Sequence, residues 1–203
     1  MIKVVSFDVG NTLVKFYREK SLAELISDKT GISHEVINKE LKNYLTQDFS
    51  TKKEFVMSLA SKMDLDYHCI ALLIEQYTVT AYIYPDVIEC MKYLSSKGYL
   101  IISVSNALSF NIIDLNELGL VDITYQFYSS RCGLKKPDIL FYKYIEKCVS
   151  AYPNEIIHIG DSIRCDVNGA KAAGWDSIYL NRNKEKSYEE KEINTLTELK
   201  KFL

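Results

Sequence analysis

The sequence predicts an α/β fold, in which a parallel β-sheet is flanked by helices and a small helical domain follows the first strand. Two observations predict it. Residues 1–14 and 84–203 alternate between short apolar runs and helical patterns, as expected for parallel strands joined by right-handed crossovers. Residues 15–83 instead repeat their apolar side chains at helical spacing. We therefore divide the chain into a core of residues 1–14 and 84–203 and a helical domain of residues 15–83.

Five short apolar runs are the expected strands, near residues 4–8, 100–105, 123–127, 156–159 and 177–180, with helices in the intervals. The helix before the second of these strands has clear ends, because Pro85 suits a first helical turn and Gly98 suits a helix terminus. In the inserted segment the helical repeat is carried by Leu22, Leu25, Ile26, Ile37, Leu41, Leu45, Phe55, Leu59 and Met63. These positions predict a small helical bundle.

Composition excludes several classes of protein. The chain has 203 residues, and its net charge of −2 gives no electrostatic basis for a nucleic-acid partner. The first strand begins at Lys3, which leaves no room for a signal peptide, and no apolar stretch is long enough for a membrane span. We therefore expect a cytoplasmic protein, monomeric or homodimeric, without a membrane partner. The scattered cysteines contain no C-x-x-C pair, so we expect them reduced and mostly in the core.

Polar residues follow the first two expected strands of the sheet. The first run ends on Asp8 and a Gly-Asn-Thr turn, and the second ends on Ser105 and Asn106. Such residues end many strands merely as turn formers. At the carboxyl end of a parallel strand, however, they face the crevice in which α/β proteins bind ligands. Asp8 is therefore a candidate nucleophile or metal ligand.

Two further polar segments complete an ordered set. Lys136 precedes Pro137, and Asp138 can cap the helix that follows. Asp161 directly follows the run at residues 156–159 and Gly160, and Asp166 follows five residues later. A nucleophile, a hydroxyl, a lysine and paired acids are the parts that phosphoryl transfer requires.

The four segments resemble the four signature motifs of the haloacid dehalogenase-like (HAD) hydrolase superfamily. Each motif is weak alone, but the ordered set spans nearly the whole chain and is specific. The resemblance implies a Rossmann-like core. It also implies that residues 15–83 form a C1-type helical cap, which closes over the site, excludes water and selects the substrate.

The resemblance further implies a Mg²⁺-dependent phosphatase that acts on a small phosphorylated metabolite. Asp8 would be the nucleophile and form an aspartyl-phosphate intermediate. Mg²⁺ would be held by Asp8, the backbone carbonyl of Gly10 and Asp161, while Asp166 would orient ligands or complete the shell. Lys136 would act in catalysis by neutralising both the phosphate and Asp8.

The remaining parts follow from the same resemblance. Phosphate oxygens would be bound by Lys136, Ser105 and the backbone amides of Val9, Gly10 and Asn106. Thr12 is expected to secure the first loop. His158, inside an apolar run, is expected to be a core histidine whose polar atoms are satisfied, and we assign no function to His34 or His68.

Gly10 departs from the family pattern. Family phosphatases usually carry a second aspartate at this position, which protonates the leaving group and later activates water. A positioned proton donor is typically worth about 10² to 10⁴ in rate. The missing proton donor has several candidate replacements, and the sequence does not choose between them. They are a metal-bound water, Asn11, Tyr17, Lys52 and Lys53.

Two alternatives remain open at this stage. Dehalogenases and phosphonate hydrolases of the superfamily also lack the acid, but Asp161 with Asp166 looks like a magnesium site, and Lys52-Lys53 matches no phosphonate-hydrolase signature known to us. The chain could also be an impaired HAD-fold binding or regulatory protein. The joint presence of Asp8, Lys136 and the paired acids argues against a complete loss of chemistry.

Overall fold

A computed structural model of the chain describes residues 1–187 and 189–203. Its strands are β1 (Val4–Phe7), β2 (Val14–Tyr17), β3 (Thr80–Ile83), β4 (Leu100–Ser105), β5 (Tyr125–Tyr128), β6 (Ile156–Gly160), β7 (Asp176–Leu180) and β8 (Glu192–Ile193). Six of them form a parallel sheet in the order β5-β4-β1-β6-β7-β8, while β2 and β3 form an antiparallel ribbon. The predicted parallel sheet is confirmed.

The helices are α1 (Leu22–Thr30), α2 (His34–Asn43), α3 (Lys52–Met63), α4 (Tyr67–Gln76), α5 (Pro85–Ser96), α6 (Ser129–Cys132), α7 (Ile139–Val149) and α8 (Gly169–Ala173). The limits of α5 agree with its sequence signals, since Gly98 follows it with a φ of 77°. Helix α7 also begins as predicted, because the Asp138 carboxylate accepts a hydrogen bond from the Leu140 amide at 2.9 Å. A π-helical turn, Ile163–Asn168, precedes α8.

Sequence patterns missed some elements. Strands β2, β3 and β8 were not predicted, and β5 begins two residues later than expected, at Tyr125. Residues 106–124, all of which the structure describes, contain a 3₁₀ turn at Ser109–Asn111 and no α-helix, so the expectation of a helix in every interval was wrong. This segment instead folds back on β5, where the Tyr128 hydroxyl donates to the Ile113 carbonyl at 2.6 Å.

The sheet is buried on both faces around its central strand, β1. Val5 and Phe7 pack into one apolar cluster with α5, and Val4 packs into the cluster on the opposite face with α7. This alternation follows from the two-residue period of a β-strand. Because β1 lies between β4 and β6, the residue after it emerges at the middle of the sheet edge.

Helices α1 to α4 surround a second apolar cluster, in which Ile26, Ile37 and Phe55 are fully buried and against which Leu108 and Phe110 of the core also pack. The chain enters and leaves this segment through β2 and β3, and Val14 pairs with Ile83 at the base of the ribbon. The division into residues 1–14 with 84–203 and residues 15–83 stays a prediction.

The cysteines correct a minor expectation. All five lie in the described residues and are free thiols, but Cys90 is the only buried one. Cys148 is exposed and the other three are half-buried, so they are not mostly in the core. Across the described residues, every helix is too short or too polar to cross a lipid bilayer.

Candidate active site

Asp8 stands at the end of the central strand. Its backbone amide donates to the Ile159 carbonyl at 2.8 Å, which extends the pairing of β1 with β6 by one residue. Its carboxylate lies 2.6 Å from the ammonium group of Lys136, although the two residues are separated by more than half of the chain. With 9% of its surface exposed, Asp8 is accessible from one side. That side faces the crevice at the strand ends.

Lys136 is buried and fully hydrogen-bonded. Its ammonium donates to Asp8 at 2.6 Å, to the Val104 carbonyl at 2.7 Å and to Asp166 at 2.7 Å. These three acceptors use all three protons of the group. The Asn106 side chain also forms two hydrogen bonds with the Lys136 backbone. It donates to the carbonyl at 2.8 Å and accepts from the amide at 2.9 Å. The lysine is therefore held in one position before any ligand enters.

Asp166 is held in the same network from the other side. Besides Lys136, it accepts hydrogen bonds from the Ser162 amide at 2.9 Å and contacts His158 Nε2 at 3.2 Å. A Cβ atom on Gly160 would lie 2.3 Å from Asp166 Cγ, so only glycine at this position allows the approach. His158 is fully buried and pairs its other ring nitrogen with Ser6 Oγ at 2.8 Å, as expected of a satisfied core histidine.

One ammonium group balances several carboxylates here. Burial opposes the ionisation of Asp166, but Lys136 and His158 outweigh it and hold its pKa well below the usual range. Burial raises the pKa of Asp8 to about 7. The attraction of Lys136 offsets the effect of burial only in part, and the negative charge of Asp166 raises this pKa further. Burial also raises the pKa of Asp161. The site therefore has an excess of negative charge, which a divalent cation would relieve.

The donor set fits such a cation. Carboxylate oxygens of Asp8, Asp161 and Asp166 lie within 4.8 Å of one another. Hard oxygen ligands of this kind are those that Mg²⁺ prefers, with water completing its shell. Gly10, whose carbonyl is the remaining predicted ligand, lines the same cavity. Asn11 supports the group, because its amide nitrogen donates to Asp161 at 3.1 Å.

All of the predicted site residues line one cavity of about 620 Å³ between the strand ends and residues 15–83. They are Asp8, Val9, Gly10, Ser105, Asn106, Lys136, Asp161 and Asp166. The volume is that of a site for a small molecule. The structure thus brings the predicted set together, and their functions remain a proposal taken up below.

The space beside Gly10 is occupied by an aromatic ring. A Cβ atom on Gly10 would lie 3.3 Å from Cε2 of Phe16, which is on β2 and lines the cavity. Among the described residues, Tyr17, Lys52 and Lys53 do not line the cavity, and Tyr17 is 68% exposed. The geometry therefore gives no support to these three as replacements for the missing acid.

Sequence analysis missed Arg182, which holds the loop after Asp8 in place. It donates to the carbonyls of Asn11 at 3.1 Å and Thr12 at 2.7 Å. Two more bonds reach Asp86 at 2.9 and 3.1 Å, and the guanidinium lies 3.9 Å from the centre of the Tyr84 ring. The Thr12 hydroxyl, in contrast, is buried without a hydrogen-bond partner. The loop is thus secured through the backbone of Thr12, and no sequence motif marks the arginine.

Arg182→Ala is expected to destabilise the protein and to slow turnover. The substitution removes bonds between a charged donor and two loop carbonyls and leaves Asp86 without its ion pair. We expect a loss of about 2–3 kcal/mol, seen as a fall in melting temperature of about 5–10 °C. Arg182→Lys keeps the charge but not the planar fork, so it should recover only part of the loss. An unchanged melting temperature in both variants would contradict this function of Arg182.

Comparison with known proteins agrees with this geometry. A model of the haloacid dehalogenase-like hydrolase family matches residues 2–174. Glyceraldehyde 3-phosphate phosphatase of Methanopyrus kandleri is 26% identical over 200 residues, which cover 91% of this chain and 86% of the relative. A HAD phosphatase of Thermococcus onnurineus superposes with a TM-score of 0.67 at 25% identity, covering 99% of this chain and 97% of its own. A 2-haloacid dehalogenase of Pseudomonas syringae, at 18% identity and a TM-score of 0.72 over 99% of this chain and 97% of its own, shares the fold. Because the family model matches most of its length, this chain belongs to the haloacid dehalogenase-like hydrolase family.

Proposed function

We propose that the protein is a Mg²⁺-dependent phosphatase of a small phosphorylated metabolite and acts through an aspartyl-phosphate intermediate. The observation that carries the proposal is the contact of Asp8 with Lys136 inside a largely buried acidic cluster that lines a ligand-sized cavity. The phosphatase names of the relatives from Methanopyrus kandleri and Thermococcus onnurineus favour this chemistry within the family.

Asp8 attacks the phosphorus atom in this proposal. Its carboxylate forms a bond to phosphorus while the bond to the leaving oxygen breaks, and water later hydrolyses the acyl phosphate and regenerates Asp8. Lys136 holds the Asp8 oxygen at 2.6 Å and so restricts the direction from which the other oxygen attacks. Restricting the nucleophile in advance lowers the entropic part of the barrier.

The phosphate is bound at the strand ends. Ser105 and the backbone amides of Val9, Gly10 and Asn106 line the cavity beside Asp8, where they supply uncharged donors for the equatorial oxygens. Lys136 supplies the positive charge. Bound Mg²⁺, held by Asp8, the Gly10 carbonyl and Asp161 with Asp166 beside them, would screen the repulsion between the carboxylate and the phosphate dianion.

Residues 15–83 act as the cap. Helices α1 and α2 contribute Leu22 and Leu41 to the cavity, so the segment covers the strand ends and limits the access of water. Two chain passages, β2 and β3, connect it to the sheet. Phe110, from the loop after β4, also packs against this segment, its ring centre lying 4.6 Å from that of Phe55.

Metal binding can be tested without turnover. Calorimetric titration with Mg²⁺ should show binding that Asp161→Ala weakens roughly tenfold or more, because a charged ligand is lost from the cluster. Asp48→Ala is the matched control, since Asp48 is exposed and lies outside the cavity wall. Undiminished binding in Asp161→Ala would remove the metal site from the proposal.

The proposed reaction is tested by a screen of phosphate compounds. Alkyl, aryl and acyl phosphates are assayed for phosphate release with Mg²⁺ and with a chelator, together with 2-haloacids assayed for halide release. We expect phosphate release that requires Mg²⁺ and no halide release. Halide release, or phosphate release that persists in the chelator, would favour the dehalogenase-like alternative or a different phosphatase mechanism.

A further inference from the structure

The two walls of the cavity differ in charge. The strand-end wall holds the three carboxylates of the metal cluster. The wall contributed by residues 15–83 holds Arg18, His34 and Lys42 instead, and among the described residues no acidic side chain of that segment lines the cavity. A ligand that reaches from Asp8 to this wall therefore meets basic side chains.

Arg18 and Lys42 are not neutralised by partners of their own. Within residues 1–187 and 189–203, the side chain of neither residue forms an ion pair or a hydrogen bond. Lys20, two positions from Arg18, is by contrast paired with Asp28 at 2.8 Å. The backbone carbonyl of Lys42 accepts a bond from Lys135 Nζ at 2.7 Å, which brings another ammonium group close to this wall. Unpaired cations gathered around a cavity favour anionic ligands.

We infer that the cavity selects phosphate monoesters that carry a second anionic group, a carboxylate or another phosphate, at the end remote from the ester. This inference rests on the proposed function, which places the transferred phosphate beside Asp8 and Lys136. Arg18 and Lys42 then bind the remote anion. A cavity of about 620 Å³ has room for a short carbon chain between the two anions.

The transferred phosphate alone does not account for these cations. In the proposed function it already has Lys136, a divalent cation and several amides as partners. Basic residues on the far wall could still attract any phosphate compound by long-range steering, which would raise the rates for all substrates alike. Selection of a second anion differs from steering, because it discriminates between compounds that differ only at the remote end.

The experiment compares two matched pairs of compounds. 3-Phosphoglycerate and glycerol 3-phosphate differ by a remote carboxylate, and fructose 1,6-bisphosphate and fructose 6-phosphate differ by a remote phosphate. We measure kcat/KM for the unmodified protein, Arg18→Gln, Lys42→Gln and the control Lys39→Gln, an exposed lysine of α2 outside the cavity wall. In at least one pair the compound that carries the second anionic group should be preferred about tenfold, and the preference should fall in the two variants but not in the control.

The outcomes separate this inference from the proposed function. No preference in either pair, or an equal loss for both members of a pair in the two variants, overturns the selection of a second anion while phosphatase activity stands. If no compound is hydrolysed, the proposed function fails, and calorimetric binding of the same pairs with Mg²⁺ decides the inference. Tighter binding of the compound with two anions, lost in Lys42→Gln, supports it, and equal or undetectable binding overturns it.

Discussion

Replacing Asp8 by asparagine is expected to lower kcat by roughly 10⁴-fold or more while the protein keeps its fold. Asparagine has nearly the same shape as aspartate, but its amide does not attack phosphorus. Lys136 keeps the Val104 carbonyl and Asp166 as partners, so its buried ammonium remains hydrogen-bonded in the variant. Phosphate release and a circular dichroism melt on the same sample measure both parts of the expectation.

Two comparisons make the Asp8 result decisive. Asp48→Asn changes an exposed aspartate outside the cavity wall and should leave both activity and melting temperature unchanged. Quenching the unmodified protein during turnover should trap a phosphorylated Asp8, which peptide mass spectrometry locates. Substantial hydrolysis by a well-folded Asp8→Asn variant would rule out this residue as the nucleophile.

The absence of a side chain at Gly10 is expected to make turnover depend strongly on the leaving group. A sugar alkoxide must be protonated as it leaves, whereas a nitrophenolate or an acyl group needs little assistance. We therefore expect nitrophenyl and acetyl phosphate to form the phospho-enzyme about 10² to 10⁴ times faster than glycerol 3-phosphate. Because the attack of water also lacks its usual base, rapid mixing should show a burst of nitrophenolate followed by slow turnover.

Restoring the acid requires a change at Phe16 as well. An aspartate at position 10 places its Cβ 3.3 Å from the Phe16 ring, which is tighter than an ordinary van der Waals contact. Gly10→Asp alone should therefore recover less activity than Gly10→Asp combined with Phe16→Leu. In the double variant, steady-state hydrolysis of glycerol 3-phosphate should rise and the burst with nitrophenyl phosphate should shrink.

Phe16→Leu alone is the control for this pair, since it enlarges the space without supplying an acid. It should leave the burst in place. Fast, burst-free hydrolysis of glycerol 3-phosphate by the unmodified protein would show that another group already transfers the proton. His34 would then be the first position to substitute, because its imidazole lines the cavity.

Much of the candidate site was predictable because strand topology is regular. Asp8, Ser105 and Asp161 each follow a run of strand-forming residues, and parallel strands place such positions along one edge of the sheet. Lys136 was found by its place in the motif order, not by any periodicity. The cluster of Asp8, Asp161 and Asp166 was thus predicted from local signals, and its function is a proposal that the experiments above test.

Contacts across the fold could not be predicted in this way. Arg182 reaches the loop after Asp8 from a position 170 residues away, and no local pattern marks a residue whose partners are backbone carbonyls. The ring of His158 contacts the Asp166 carboxylate only because β6 and the π-helical turn bring the two side chains together. Phe16 fills the space beside Gly10 because β2 turns back toward β1.

The sequence by itself determined five strands of the parallel sheet, the polar residues at the strand ends and the helical character of residues 15–83, because each depends on neighbours along the chain. Only the tertiary structure decided which residues of the helical segment face the site. Lys52, Lys53 and Tyr17 lie outside the cavity wall, and Arg18, His34 and Lys42 lie in it. The direction of a side chain toward a distant surface depends on how the helices pack and on the angle of β2 and β3, which hydrophobic periodicity does not specify.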